Sequence, residues 1–437
     1  MGRNVRPLGI HAKSAAGQGA PDAKMPAPGT VFDDALKGIY ALQRHIAGVL
    51  NDKHAVIRGG ISVAAFDFRV AMCHRGTDGG TICVKRSPNH QRAAFGGLQQ
   101  CGSVWHCPIC APKIANRRRD EMSQALYGWK IAGGAAGFVT VTFSHQAAAG
   151  GQGGLAAQLE RFTKALRSLK GLRGYKDMMK RAGSIGSIAA LEVTYGEFSG
   201  WHPHKHEIVF MGADGLRQLR QLRRLWARVL LKAGLGGIRP GDTGAERFGR
   251  LRALLRHCCT VQDGSYAADY IAKFGRDVSG WSITDELAKP HLKQKRSTDG
   301  AWRRCGHASP WELAADSMAG DRRSRELFRE YALAFQGKRQ IVWSAKLKAR
   351  FYVEELEDEV ISRAADETCS EHVIEIMPED WSVILAHDGR WQVLYAAAQG
   401  GRAGVEALIG WFRGRPDTHS GEFSEDDSFF LPMARAG

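Results

Sequence analysis

Residues 200–210, GWHPHKHEIVF, place three histidines within five positions and run without a break into an apolar stretch. Side chains two apart on a β-strand leave from the same face. A strand here therefore sets His204 and His206 side by side, with His202 just before them as a further candidate ligand. A solvated His-rich turn is the plainer reading of such a run. Neutral imidazole, however, is the commonest protein ligand for metals, and the pair has the spacing to hold one divalent ion. A third ligand is expected from a neighbouring strand. If residues 186–195 pair antiparallel with 203–210 around a loop centred near 199, Glu192 lies across from His206. Two imidazoles and a carboxylate suit Mn²⁺ or Mg²⁺.

The surrounding pattern predicts an α+β domain. The stretch GFVTVTFSH (137–145) alternates strictly, with Val139, Val141 and Phe143 on one face and Thr140 and Thr142 on the other. Helical periodicity follows at about 153–170 and 174–182, then strands at 186–195 and at the histidines. A long arginine-rich helix is expected near 214–234, a strand near 256–262 and a helix near 265–275. This order implies a central antiparallel sheet with helices packed on one face. Five segments are expected overall. They are a disordered basic tail (1–30), a helix and cysteine module (31–130), the sheet domain (131–300), a mainly helical C-terminal region (301–414) and an acidic disordered tail (415–437).

Charge narrows the partners. Lys and Arg number 61 against 45 Asp and Glu, a net charge of +16, which points to a polyanion. No apolar run reaches the ~18–20 residues of a transmembrane helix, so nucleic acid is favoured over a membrane. Arg117, Arg118 and Arg119, the arginines of 217–228, and Thr140 and Thr142 are the candidate DNA contacts.

Five of the nine cysteines lie between Cys73 and Cys110. Such clustering fits metal binding in a reducing compartment, with the cytoplasm as the expected address. The sequence CGSVWHCPIC supplies Cys107 and Cys110 at C-x₂-C spacing and Cys101 as a third thiolate. The fourth ligand is open between Cys83, Cys73 and His106, with Cys83 preferred. A structural Zn²⁺ is expected over a set of buried free cysteines.

Downstream, SYAADYIAKFG places Tyr266 and Tyr270 four apart on an expected helix, with Lys273 one turn beyond. A Thr-rich strand, then His-Pro-His-x-His, then Tyr-x-x-x-Tyr-x-x-Lys resembles the three motifs of the HUH endonucleases, in the arrangement of the rolling-circle replication initiators of bacterial plasmids. The segments CGSVWHCPICAPKI and FREYALAFQGKRQIVWSAKLK (328–348) resemble flanking parts of the same proteins, and the resemblance spans roughly residues 95–410. One departure is Lys205, where the family usually has a hydrophobic residue; it is expected to face away from the metal, at a sheet edge.

The resemblance implies the HUH fold and a metal-dependent nicking–rejoining reaction on plasmid origin DNA, taken as a single strand or hairpin. It implies that His204, His206 and Glu192 hold the metal and that Tyr270 attacks the phosphate. The products would be a 5′-phosphotyrosine link and a free 3′-hydroxyl, with host helicase and polymerase as partners in a bacterial cytoplasm. Tyr266 would be a second nucleophile, and Lys273 would favour the phenolate or position the metal water. A relaxase usually carries its tyrosine upstream of the histidines, and transposases of this chemistry are usually much shorter. A non-catalytic zinc-module DNA-binding regulator is the reading from a different class.

Overall fold

In the computed structural model, the described residues are 30–51, 68–87, 92–143, 154–197, 199–264, 294–296, 302–304 and 307–415. Both expected tails, and the segment bearing Tyr266, Tyr270 and Lys273, lie outside them.

The chain runs α1 (Thr30–Leu50), β1 (Cys83–Ser87), β2 (Arg92–Gly96), α2 (Cys110–Ile131) and β3 (Ala135–Thr142). It continues with α3 (Leu155–Gly171), α4 (Arg173–Arg181), β4 (Gly186–Gly196), β5 (Gly200–Met211), α5 (Gly215–Leu219) and α6 (Leu222–Lys232). Next are α7 (Gly244–His257), β6 (Cys259–Asp263), β7 (Gln294–Arg296), β8 (Trp302–Arg304), β9 (His307–Ala308), α8 (Pro310–Met318) and α9 (Arg322–Phe335). Last come β10 (Ile341–Trp343), α10 (Leu347–Arg350), α11 (Asp358–Glu367), β11 (Glu371–Glu375), α12 (Pro378–Ala386) and α13 (Arg390–Arg413).

The fold is α+β with antiparallel sheets. The main sheet has the order β10-β4-β5-β3-β6, and β9 extends the β10 edge of β4. Alternation sorts its side chains into two cores. Val139, Val141, Val209 and Met211 pack on Phe162, Leu169, Leu222 and Trp226 of α3 and α6. Phe138, Ile188, Ile208 and Phe210 point the other way, onto Met122 and Ala125 of α2 and onto Leu347 and Phe351. That second cover stops short of one end of the sheet, where the even-numbered residues of β5 are histidines.

The long helix expected over 214–234 is broken. Hydrogen bonds from Gln221 N to Gln218 O and from Arg224 N to Gln221 O tighten the chain between α5 and α6. This turn keeps Leu219 and Leu222 buried together. The stretch expected as a strand from about 256 begins only at Cys259, because α7 occupies 244–257. Thr243 and Glu246 open that helix with a capping box.

The C-terminal region is not a separate helical unit. Its strand β11 pairs with β1, and β10 pairs with β4. Its helices α8, α9 and α13 share one core with α1 and the cysteine segment. Lys205 does face away from the histidine side, but β5 is central rather than an edge. The ammonium is buried on the α3 side and pairs with Glu207 at 2.7 Å, whose other oxygen accepts from Ser187 at 2.6 Å. Burial would raise Glu207, but Lys205 and Lys170 hold it below the usual carboxylate range.

Candidate metal centres

The turn between Gly196 and Gly200 sets the register of the β4–β5 hairpin. It places Glu192 opposite His204 and Ala190 opposite His206, two residues from the expected pairing. The loop is centred one residue earlier than expected, which moves partners by two and so preserves the face. Glu192 reaches the diagonal neighbour over the small Ala190. Its Oε2 lies 2.9 Å from Nε2 of His206 and 3.3 Å from Nε2 of His204. The donor atoms of these three residues all fall within 4.8 Å of one another.

The imidazoles are oriented from behind. Nδ1 of His204 faces the carbonyl oxygen of His202 at 3.0 Å, so that nitrogen donates and Nε2 points into the cluster. Nδ1 of His206 lies 2.9 Å from Oγ1 of Thr140, directly opposite on β3, and its ring stacks on Phe138. Burial would raise Glu192, but hydrogen bonds from the two histidines hold it far below the usual carboxylate range. Burial lowers His204, and the Glu192 carboxylate more than reverses this, raising it. A cluster so polarised, with two nitrogens and one carboxylate as donors, could hold a divalent cation in place of the shared protons.

Three expectations need correction here. His202 stays out of the cluster, because its Nε2 bonds Thr142 Oγ1 at 2.7 Å. Thr140 and Thr142 thus hold histidines rather than presenting free hydroxyls to DNA. Arg118 is also committed, donating to Glu121, Asp358 and the carbonyl of Leu356 at 2.8–3.2 Å. Its partly buried place on α2, against the chain before α11, takes it out of any backbone-tracking row. Arg117 pairs with the buried Glu121, and Arg119 with the exposed Asp120.

Glu330 of α9 was not singled out from the sequence. Its carboxylate accepts from the Trp201 indole at 2.9 Å and the Leu155 N–H at 2.7 Å, anchoring the mouth of the hairpin. Nothing in the local sequence marks it. Beside the cluster, a cavity of about 470 Å³ opens among Thr142, His202, Arg250 and His257.

The second centre is made of Cys73, Cys101, Cys107 and Cys110, all buried. Sulfur separations are 3.4 Å for Cys73–Cys110, 3.5 Å for Cys107–Cys73 and 3.8 Å for Cys101–Cys110. A tetrahedral ion with bonds of ~2.3 Å to sulfur gives edges of about 3.8 Å, so four thiolates around one Zn²⁺ fit this cage. Hydrogen bonds from Cys101, Cys107 and Cys73 hold Cys110 well below the usual thiol range. Hydrogen bonding within the cluster pushes Cys101 up, and burial pushes Cys107 up. Ionising the whole cluster therefore needs a cation at its centre.

The fourth cysteine is Cys73, not Cys83. Cys83 lies on β1 with its sulfur over Gly96, where an added Cβ would come within 2.7 Å of it. His106 is excluded as a ligand, since its ring nitrogens bond Ser103 Oγ at 3.1 Å and the Ala332 carbonyl at 3.1 Å. Burial lowers it to about 4, so it is neutral.

Among the described residues no helix is long and apolar enough to cross a membrane. No family model matches the chain, and no solved structure matches it. Among curated proteins it is similar to one named "Neomycin resistance protein" from Streptomyces cyanogenus, 36% identical over 136 residues. That match covers 26% of this chain and 31% of the other. It is also similar to "Protein rep" from Streptomyces lividans, 26% identical over 319 residues, covering 58% of this chain and 63% of that protein. The chain thus spans less than two thirds of the length of each of these relatives, and the longer of the two matches is to a Rep protein.

Proposed function

We propose that this chain is a plasmid replication protein that nicks one DNA strand at an origin and later rejoins it. The observation that carries the reading is the convergence of Glu192, His204 and His206 on one sheet face, each imidazole oriented by a partner behind it. Similarity to "Protein rep" supports the replication role.

A bound Mn²⁺ or Mg²⁺ would supply Lewis-acid polarisation of the scissile phosphate. The chain's own residues supply the rest. Glu192 and the two histidines fix where the phosphate oxygen is held, and Thr140 and the His202 carbonyl keep the rings in place. The cavity beside Thr142 and His202 is large enough for a nucleotide next to that phosphate. Tyr270 is the proposed nucleophile; its oxygen displaces the 3′-oxygen from phosphorus, leaving a 5′-phosphotyrosine and a 3′-hydroxyl. Lys273 lowers the cost of forming the phenolate.

The test is incubation with supercoiled plasmid carrying the protein's own gene. A nick with protein covalently attached to the 5′ end is expected, absent with Tyr270→Phe. Covalent attachment by Tyr270→Phe at the wild-type level would reject the assignment, and a regulator would show no nick with either protein.

A further inference from the structure

The net charge of the chain is concentrated on one side of the main sheet, and it is not the side of the histidine cluster. The stretches 155–181 and 215–232, which are α3, α4, α5 and α6, contain fourteen Lys and Arg against Glu160 and Asp177. That is +12 of the whole chain's +16. All fourteen are exposed, because the apolar sides of these helices are used up against Val139, Val141, Val209 and Met211. The histidines leave β5 in the opposite direction, on the side of Ile208 and Phe210.

We propose that this outer helical layer is a docking surface for duplex DNA, held through its phosphates and separate from the cluster of Glu192, His204 and His206. The inference rests on the charge and its placement and does not require the nicking chemistry.

The spacing fits backbone tracking. Arg161, Lys164 and Arg167 recur every third residue on α3, and Arg224 and Arg228 lie four apart on α6, with Arg220 in the turn that precedes it. At 1.5 Å rise per residue, each row sets cations about 4.5–6 Å apart along one helix face. Arg181 bonds Gln218 and Gln221, tying α4 to the second row. Ion pairs within the layer are weak and few, with Arg173–Asp177 at 3.7 Å and Lys170–Glu207 at 3.9 Å.

Duplex is favoured over single strand by what the layer does not offer. Single-strand sites stack bases on aromatic rings. Here Phe162 and Trp226 are fully buried, and Tyr175 is half-buried. A surface of cations without ring faces reads phosphates alone, the sequence-independent mode of duplex binding.

The test uses the full chain with Lys164, Arg167, Arg220 and Arg224 all changed to Gln. The control changes the exposed Arg322, Lys338, Arg363 and Arg402 to Gln. A duplex of about 20 base pairs lacking any origin sequence is titrated at several salt concentrations, beside oligo-dT and phosphatidylserine vesicles. The layer variant is expected to bind duplex at least about tenfold more weakly, with its salt slope reduced by about 3–4; the control stays within about twofold. The single variant Arg224→Glu, with a wild-type melting curve, should weaken duplex binding in the same direction. The duplex titration involves no cleavage, so a failure of the nicking reading leaves this result intact. Duplex affinity unchanged in the layer variant would overturn the proposal. So would an equal loss for oligo-dT, or a loss confined to vesicles.

Discussion

The hydroxyl of Thr140 lies 2.9 Å from Nδ1 of His206, on the strand directly opposite. With no ion present, Nε2 of His206 donates to the Glu192 carboxylate and Nδ1 accepts from the threonine. A cation held at Nε2 would leave the ring proton on Nδ1, and the hydroxyl would then accept. A hydroxyl does both, so one side chain serves the ring in both states. Thr140→Val should therefore weaken divalent-metal affinity about 10–100-fold, while Thr140→Ser keeps it within a few-fold. Isothermal titration with Mn²⁺ checks this, and equal affinity in the valine variant would show that the contact orients nothing.

The same cluster sets a pH dependence. The Glu192 carboxyl is depressed, so its contribution to stability is present above about pH 4.5 and fades as pH falls through the lower folded value. His204 is raised, so its contribution is full below about pH 6.5 and fades as pH rises through the higher folded value. The metal-free protein should therefore gain most from this pair between those limits. In chelator, the melting temperature of wild type relative to Glu192→Gln should be higher at pH 6 than at pH 8. Adding Mn²⁺ should reverse the trend, because the ion competes with the His204 proton.

About one Zn²⁺ per chain should co-purify. Cys107→Ser and Cys73→Ser should lose it together with solubility, whereas Cys83→Ser should retain it. Metal analysis of the three proteins decides, and zinc lost from the Cys83 variant alone would contradict the cage.

Removing one member of the buried Lys205–Glu207 pair strands a charge beside α3. Lys205→Met should cost about 3–5 kcal/mol. Adding Glu207→Leu should recover most of that loss, as read by urea denaturation.

On the proposed nicking reaction, starting and finishing a rolling circle takes two attacks. Tyr266→Phe should still nick yet fail to release closed single-stranded circles. Circles formed at the wild-type rate would make Tyr266 a packing residue.

Alternation made much of the candidate centre legible in the sequence. Because side chains repeat every two residues, a hairpin register misplaced by two still brought Glu192 to the histidines. Thr140 was legible only as a face, since its partner depends on β3 lying beside β5. Cys73 was harder still. It lies 28 residues before Cys101 in sequence, and only the pairing of the β1–β2 strands between them returns it to the cluster. The pairing of β11 with β1 had no local signal, because Glu371–Glu375 is short and flanked by helices. Lys205 misled for a physical reason: a charged residue in a strand reads as an edge unless its buried counter-ion, here Glu207, is taken into account.

The exchange of strands between the chain's two halves bears on its synthesis. β1 lacks one of its neighbours until residue 375 has been made, and the buried guanidinium of Arg390 reaches its acceptors, the His74 carbonyl and Gln43, only later still. The cysteine segment emerges from the ribosome early, yet it must wait for roughly 300 further residues before its sheet closes. Contacts so distant in sequence are slow to form. In that interval a metal ion held by the nascent cysteines would be a local constraint on them, and the yield of mature protein would then follow metal supply during translation.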